Sequence, residues 1–223
     1  MHLIMLYCTS IICGFCMMAL EMIGGRFLQP VFGTGIDVWS AIITVFILSL
    51  SIGYVLGGRI ADRYRTNLAL AWVILIAGIF YLILPIYARP LIMAMGGALH
   101  ASGGGGVLIA ALVLFFFPSL LLGCVSPMLV KLVFDDPSRV GRITGTLYAI
   151  GSVGNVLGIL VSTYLMLRFF QLNSNMLGMG LTLGLTALAH FAIRITSAAR
   201  EDGIVPDGSE TVAPVPANTA EAV

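Results

Sequence analysis

The chain has 223 residues, 59% of them hydrophobic and only 9% charged, with a net charge of +1 and a mean hydropathy of +1.06. A water-soluble domain of this composition would lack the polar surface to cover itself. The chain therefore reads as an all-α integral membrane protein, with a lipid bilayer as its surroundings and no nucleic acid as a partner.

Six apolar stretches come near the roughly 20 residues that cross a bilayer as a helix. They are Leu3–Gly24, Val38–Gly58, Leu68–Ala88, Val107–Val130, Ile143–Leu167 and Met176–Ile195. The N-terminus has neither the positive leader nor the cleavage site of a secretory signal, so the first stretch is expected to stay as a helix. Within it Cys13-Gly14-Phe15-Cys16 spells C-x-x-C. The redox form of that motif belongs to the mouth of a soluble α/β fold, and here the cysteines read as small polarizable packing residues.

The first span ends in LEMIGGRFLQPVFGTGIDVWS, which places Glu21, Arg26 and Asp37 at the edge of the membrane. Charge at membrane depth is costly and calls for a partner. Glu21 and Arg26 can form a local ion pair or line a water-filled cavity. Asp37 can cap the second span or join the same cavity. With Trp39, these residues form a candidate site for a cation such as an organic amine.

On the second span, Ser49, Gly53 and Gly57 recur at helical spacing and would let another backbone come close. The span ends in GGRIADRYR, in which Gly58, Asp62 and Arg63 keep the G-x-x-x-D-R core of the loop between spans two and three of major facilitator transporters. The second glycine of that motif is missing. Such a loop can relay charge or be a solvated, positive-inside turn.

The third span is followed by 89–106, containing RPLIMAMGGALHASGGGG, which reads as a glycine-rich linker. It divides the chain into halves 1–88 and 107–196 of three spans each. An odd number of spans per half inverts the second half relative to the first, as in many transporters. VWSAIITVFILSLSIG and LYAIGSVGNVLGILVS can be laid side by side in support. Pro118 and Pro127 interrupt the fourth span and free carbonyls that need other partners.

The fifth span carries Gly151, Gly154, Gly158 and Ser162 on one face, so spans two and five are expected to make the tight contacts, with each other or across a dimer. Asn155 lies at its middle, with Tyr148 nearer its start, and both are expected to join Glu21, Arg26, Asp37 and Trp39 in the substrate site, Asn155 deeper than the rest. The Asn155 amide must bond to another helix or face a cavity. His190, alone in the sixth span, lacks the neighbours of a metal site. Residues 197–223 read as a disordered tail.

Cytoplasmic loops collect Lys and Arg. With the N-terminus inside, the inner loops and tail hold Arg59, Arg63, Arg65, Lys131, Arg139, Arg142, Arg194 and Arg200, against Arg26, Arg89 and Arg168 outside. Both termini are thus expected in the cytoplasm. No carboxylate pair, Ser-His-Asp set or Cys/His cluster suggests catalysis, metal or cofactor binding by this chain alone.

Taken together, LEMIGGRFLQPVFGTGIDVWS, GYVLGGRIADR, FFPSLLLGCVSPMLVKL and VGRITGTLYAIGSVGNVLG resemble the membrane domain of bacterial fused major facilitator/spermidine synthase proteins. The ordered blocks cover about Ala19 to Leu167. The resemblance implies that Glu21 and Arg26 belong to a shared feature, and it implies a bacterial inner-membrane location. It also implies an aminopropyltransferase-like soluble domain, which this chain does not carry, so such chemistry is expected in a separate polypeptide.

Three functions follow as expectations. The first is a membrane subunit that recruits or serves a soluble spermidine synthase-like enzyme and handles a polyamine or similar amine. The second is a half-size major facilitator-like transporter acting as a homodimer, and the third an assembly subunit of a larger membrane complex.

Overall fold

The computed structural model describes residues 2–64, 66–100, 104–133 and 140–193. The order is α1 His2–Phe32, α2 Ile36–Arg63, α3 Asn67–His100, α4 Gly104–Val133, α5 Val140–Val161, a π-helical turn Ser162–Met166, the short α6 Leu167–Phe169, and α7 Leu172–Ala192. With α5, the π turn and α6 counted as one span, six helical stretches are long and apolar enough to cross a membrane. This is an all-α, six-helix membrane fold.

The spans exceed the apolar stretches because helix continues into their polar ends. The expected linker 89–106 is helical in most of its length: α3 runs through Arg89 to His100, with Pro85 and Pro90 inside it, and α4 begins at Gly104. The tail 197–223 lies outside the described residues.

The first turn between spans is dictated by glycine. Gly33 ends α1 at φ 77°, a left-handed conformation that costs a side chain energy, and its N–H donates to Gln29 O at 2.9 Å. Gly35 then occupies the N-cap of α2 in extended conformation.

Lipid offers helices no hydrophobic reason to associate, so close backbone approach must supply the contact. It does so in two matched pairs. A Cβ on Gly53 of α2 would lie 2.5 Å from Leu120 O of α4, and one on Gly57 would overlap the Cys124 carbonyl. In the same way, Cβ atoms on Gly154 and Gly158 of α5 would overlap the carbonyls of Ile11 and Phe15 of α1. Spans two and five therefore make the tight contacts, but against α4 and α1, not against each other.

These pairs exchange when α1 is swapped for α4, α2 for α5 and α3 for α7. The third pair obeys the same rule by meeting itself: a Cβ on Gly78 of α3 would sit 3.1 Å from Gly180 O of α7, and one on Gly180 would sit 3.0 Å from Gly78 O. Gly14 of α1 and Gly123 of α4 also correspond, each pressed against the flanking helix of the other half. The two sets of three spans are thus joined by matching glycine contacts. The internal register differs from the side-by-side reading above: Gly154 follows Gly53, and Gly158 follows Gly57, by 101 positions in each case, whereas that reading set Leu147 on Val38.

The core lies along α1, α3 and α4. Tyr81 is fully buried and donates its hydroxyl to Cys16 O at 2.8 Å, while Phe115 fills the space left by Gly24 and meets Phe46 at 6.1 Å between ring centres. Cys13, Cys16 and Cys124 are buried free thiols.

Candidate functional site

On the side of the bundle away from α3 and α7, α2 and α5 stand apart, and the cleft between them is floored by α1 and α4. The cleft holds a cavity of about 200 Å³. Since a single water needs about 10–15 Å³ of such space, it can take a small molecule.

The cavity wall mixes apolar side chains with polar ones and carries no charge. Tyr54 of α2 and Tyr148 of α5 stand on opposite walls, Asn155 and Ser152 also lie on α5, and Ser10 and Ser126 come from the floor. Ser10 donates to Leu147 O at 3.3 Å, joining α1 to α5. Among the described residues, Tyr54, Ser126, Tyr148, Ser152 and Asn155 make no side-chain hydrogen bond. Five polar side chains thus border one space with hydrogen-bonding capacity unused inside the chain, Ser126 and Asn155 half-buried and Tyr54, Tyr148 and Ser152 exposed at its rim.

Gly14 is part of this geometry. A Cβ there would lie 2.6 Å from Gly151 O and 2.8 Å from the Asn155 side-chain oxygen, so glycine lets α5 bring the amide to the cavity. Met17, Leu129 and Val130 provide apolar wall between the polar groups.

The candidate residues read from the sequence divide. Asn155 and Tyr148 line the cavity, and Asn155 forms no bond to another helix among the described residues. Gly151 lines it as well. Glu21, Arg26, Asp37 and Trp39 lie nearer the opposite end of the bundle and outside this wall. They do not converge on one site.

Arg26 and Glu21 form no ion pair among the described residues, because five residues of helix turn their side chains about 140° apart. Arg26 Nη1 instead donates to Gln29 Oε1 at 3.4 Å. Asp37 is not the cap of α2. That position belongs to Gly35, and Asp37 sits exposed in the first turn, where a negative charge is favoured by the helix dipole. The Trp39 ring packs against Gly25 of α1 and is partly exposed.

The expected loop motif is not a loop: Gly58, Asp62 and Arg63 lie in the last two turns of α2, which runs helical to Arg63, and Asp62 there meets a partner. Lys131 Nζ of α4 meets Asp62 Oδ1 at 2.7 Å, an ion pair that ties α2 to α4 at the end of the bundle opposite Gly33. Arg63 lies over the Tyr64 ring at 5.7 Å, and Gly58 has open space around it.

Reading the sequence missed Tyr54 and the three cavity serines. Their polarity within apolar spans was the available signal, yet serine and tyrosine are common there, and only the pairing of α2 with α4 and α5 with α1 collects them.

A second cavity, of about 350 Å³, opens at the Gly33 end between α1, α3 and the start of α7. Its wall includes Arg26 and Arg89. Comparison of the chain with protein-family models, curated proteins and solved structures finds no match.

Proposed function

We propose that the chain is a half-size, major facilitator-like transport unit of a bacterial cytoplasmic membrane, which handles a small uncharged polar molecule and works as a pair of copies. The observation that carries this reading is the open cleft between α2 and α5, bordered by five polar side chains that have no hydrogen-bond partner within the chain among the described residues. Its walls belong to α2 and α5, whose outer faces are apolar, with Ile47, Val55, Val153 and Val156 among the exposed side chains of a single copy. A polar cleft facing lipid is costly, and a second copy laid against α2 and α5 would cover it. The excess of Lys and Arg near the Asp62 end supports an orientation with both termini in the cytoplasm.

Ligand charge follows from the wall. No ionised side chain lines the cavity, so a polyamine entering it would leave several ammonium groups without a counter-charge. Tyrosine, serine and asparagine side chains instead match hydroxyl, amide or heteroaromatic groups, and the paired tyrosines suit a planar face.

The test is solute flux. Liposomes containing the purified chain are loaded with a metabolite extract of the host, and release is followed by mass spectrometry. Selective release of an uncharged solute, abolished by Asn155→Leu in a variant that keeps its helical spectrum, is the expected result. Release of spermidine, or equal leakage from Asn155→Leu, would contradict it.

The alternative, an accessory subunit for a soluble synthase-like enzyme, is supported by the resemblance of four sequence blocks and by the charged end at Asp62, Arg63 and Lys131 as a place to dock. It is favoured if flux is absent and such an enzyme co-purifies in equal amount.

A further inference from the structure

The 350 Å³ cavity at the Gly33 end has a composition unlike that of the α2–α5 cleft. Two arginines on different helices line it, Arg26 of α1 and Arg89 of α3, together with the amide side chains of Gln171 and Asn173 at the start of α7. No carboxylate lines it. Neither arginine has an ion-pair partner among the described residues, and the bond from Arg26 to Gln29 leaves most of its five donors unused.

Two guanidinium groups brought to one cavity repel each other unless an anion sits between them. The fork geometry of arginine suits the oxygens of a phosphate, and neutral amides beside it can add hydrogen bonds. The rest of the wall is apolar, with Phe27, Pro30, Ile92 and Met93 among the lining residues. A phosphate-sized polar mouth joined to an apolar surface, at the end of membrane-spanning helices, has the chemistry of a lipid with a negatively charged headgroup.

We propose that this cavity is a binding site for an anionic phospholipid, with Arg26 and Arg89 holding the headgroup phosphate and the α1–α3 wall holding the start of an acyl chain. The site is separate from the α2–α5 cleft and does not depend on what that cleft carries.

The experiment is native mass spectrometry of the full chain released from nanodiscs of equimolar phosphatidylglycerol and phosphatidylcholine. Both lipids carry a phosphate, and only the first is anionic overall. Retained phosphatidylglycerol should exceed phosphatidylcholine by about tenfold, a difference of about 1.4 kcal/mol in binding. The excess should vanish in Arg26→Gln/Arg89→Gln, survive in Arg59→Gln, and be partly kept in Arg89→Lys, which retains charge but not the fork. Millimolar inorganic phosphate should leave the bound lipid in place. Equal retention of both lipids, an excess unchanged in the double variant, or displacement by free phosphate would overturn the proposal. Circular dichroism of each variant separates loss of the site from loss of the fold.

Discussion

His190 shows how a single polar residue can be accounted for inside an apolar bundle. Asn67, at the start of α3, donates through Nδ2 to His190 O at 2.8 Å and to Ile193 O at 2.9 Å, satisfying carbonyls that the end of α7 would otherwise leave orphaned. That fixes the amide, so its Oδ1 faces the ring as an acceptor and His190 Nδ1 carries the hydrogen. Nε2 is then an acceptor, 2.8 Å from the Thr9 hydroxyl of α1, whose hydrogen it shares with Met5 O. Three helices are tied through one imidazole. Asn67→Ala removes two bonds to carbonyls and strands the ring, so it should lower stability by about 1–3 kcal/mol. Thermal unfolding in mild detergent measures this, and a melting temperature equal to that of the parent would contradict it. The sequence marked His190 only as lacking metal neighbours; its partners lie 123 and 181 positions away, a separation that span order alone cannot bridge.

At the scale of the helices, glycine decides which faces meet. Gly154→Ala places a methyl into the Ile11 carbonyl, where backbone has to move, and should destabilise the α1–α5 contact by about 1–3 kcal/mol. Gly178→Ala, on α7 with nothing within 4 Å, should be neutral or raise stability by up to about 1 kcal/mol through helix propensity. The same unfolding measurement compares them, and equal losses would contradict the packing described. Asp62→Asn removes the Asp62–Lys131 pair, whose side chains are 70% and 32% exposed, so its cost should be about 1 kcal/mol or less and should shrink with added salt.

The six spans and the small-residue faces were legible because length, hydropathy and four-residue spacing are local properties. Their partners were not, since Gly53 and Gly154 look alike in sequence and only the fold sends one to α4 and the other to α1. The π turn at Ser162–Met166 was equally hidden. It lets α5 continue into α6 past Thr163, a buried hydroxyl without a partner, and no residue there signals an extra position in the turn. The opening charges illustrate the same limit. Their placement near a membrane edge was readable, but helix rotation sends Arg26 toward Arg89 and away from Glu21.

For the whole molecule, the matched glycine contacts have a functional consequence. Exchange of α1 with α4 and α2 with α5 leaves one polar cleft between α2 and α5, and each copy exposes the outer faces of those helices. A pair of copies would bring twelve spans around a shared interior. The claim that the cleft is completed by a second copy is tested most directly by weighing the native assembly, ejected from membrane vesicles without prior detergent. A species of twice the chain's 23.7 kDa mass is expected, converted to single chains by Tyr54→Glu/Tyr148→Glu, which places like charges at the mouth of the cleft. A single chain as the only species in the membrane, with the parent protein folded, would contradict it.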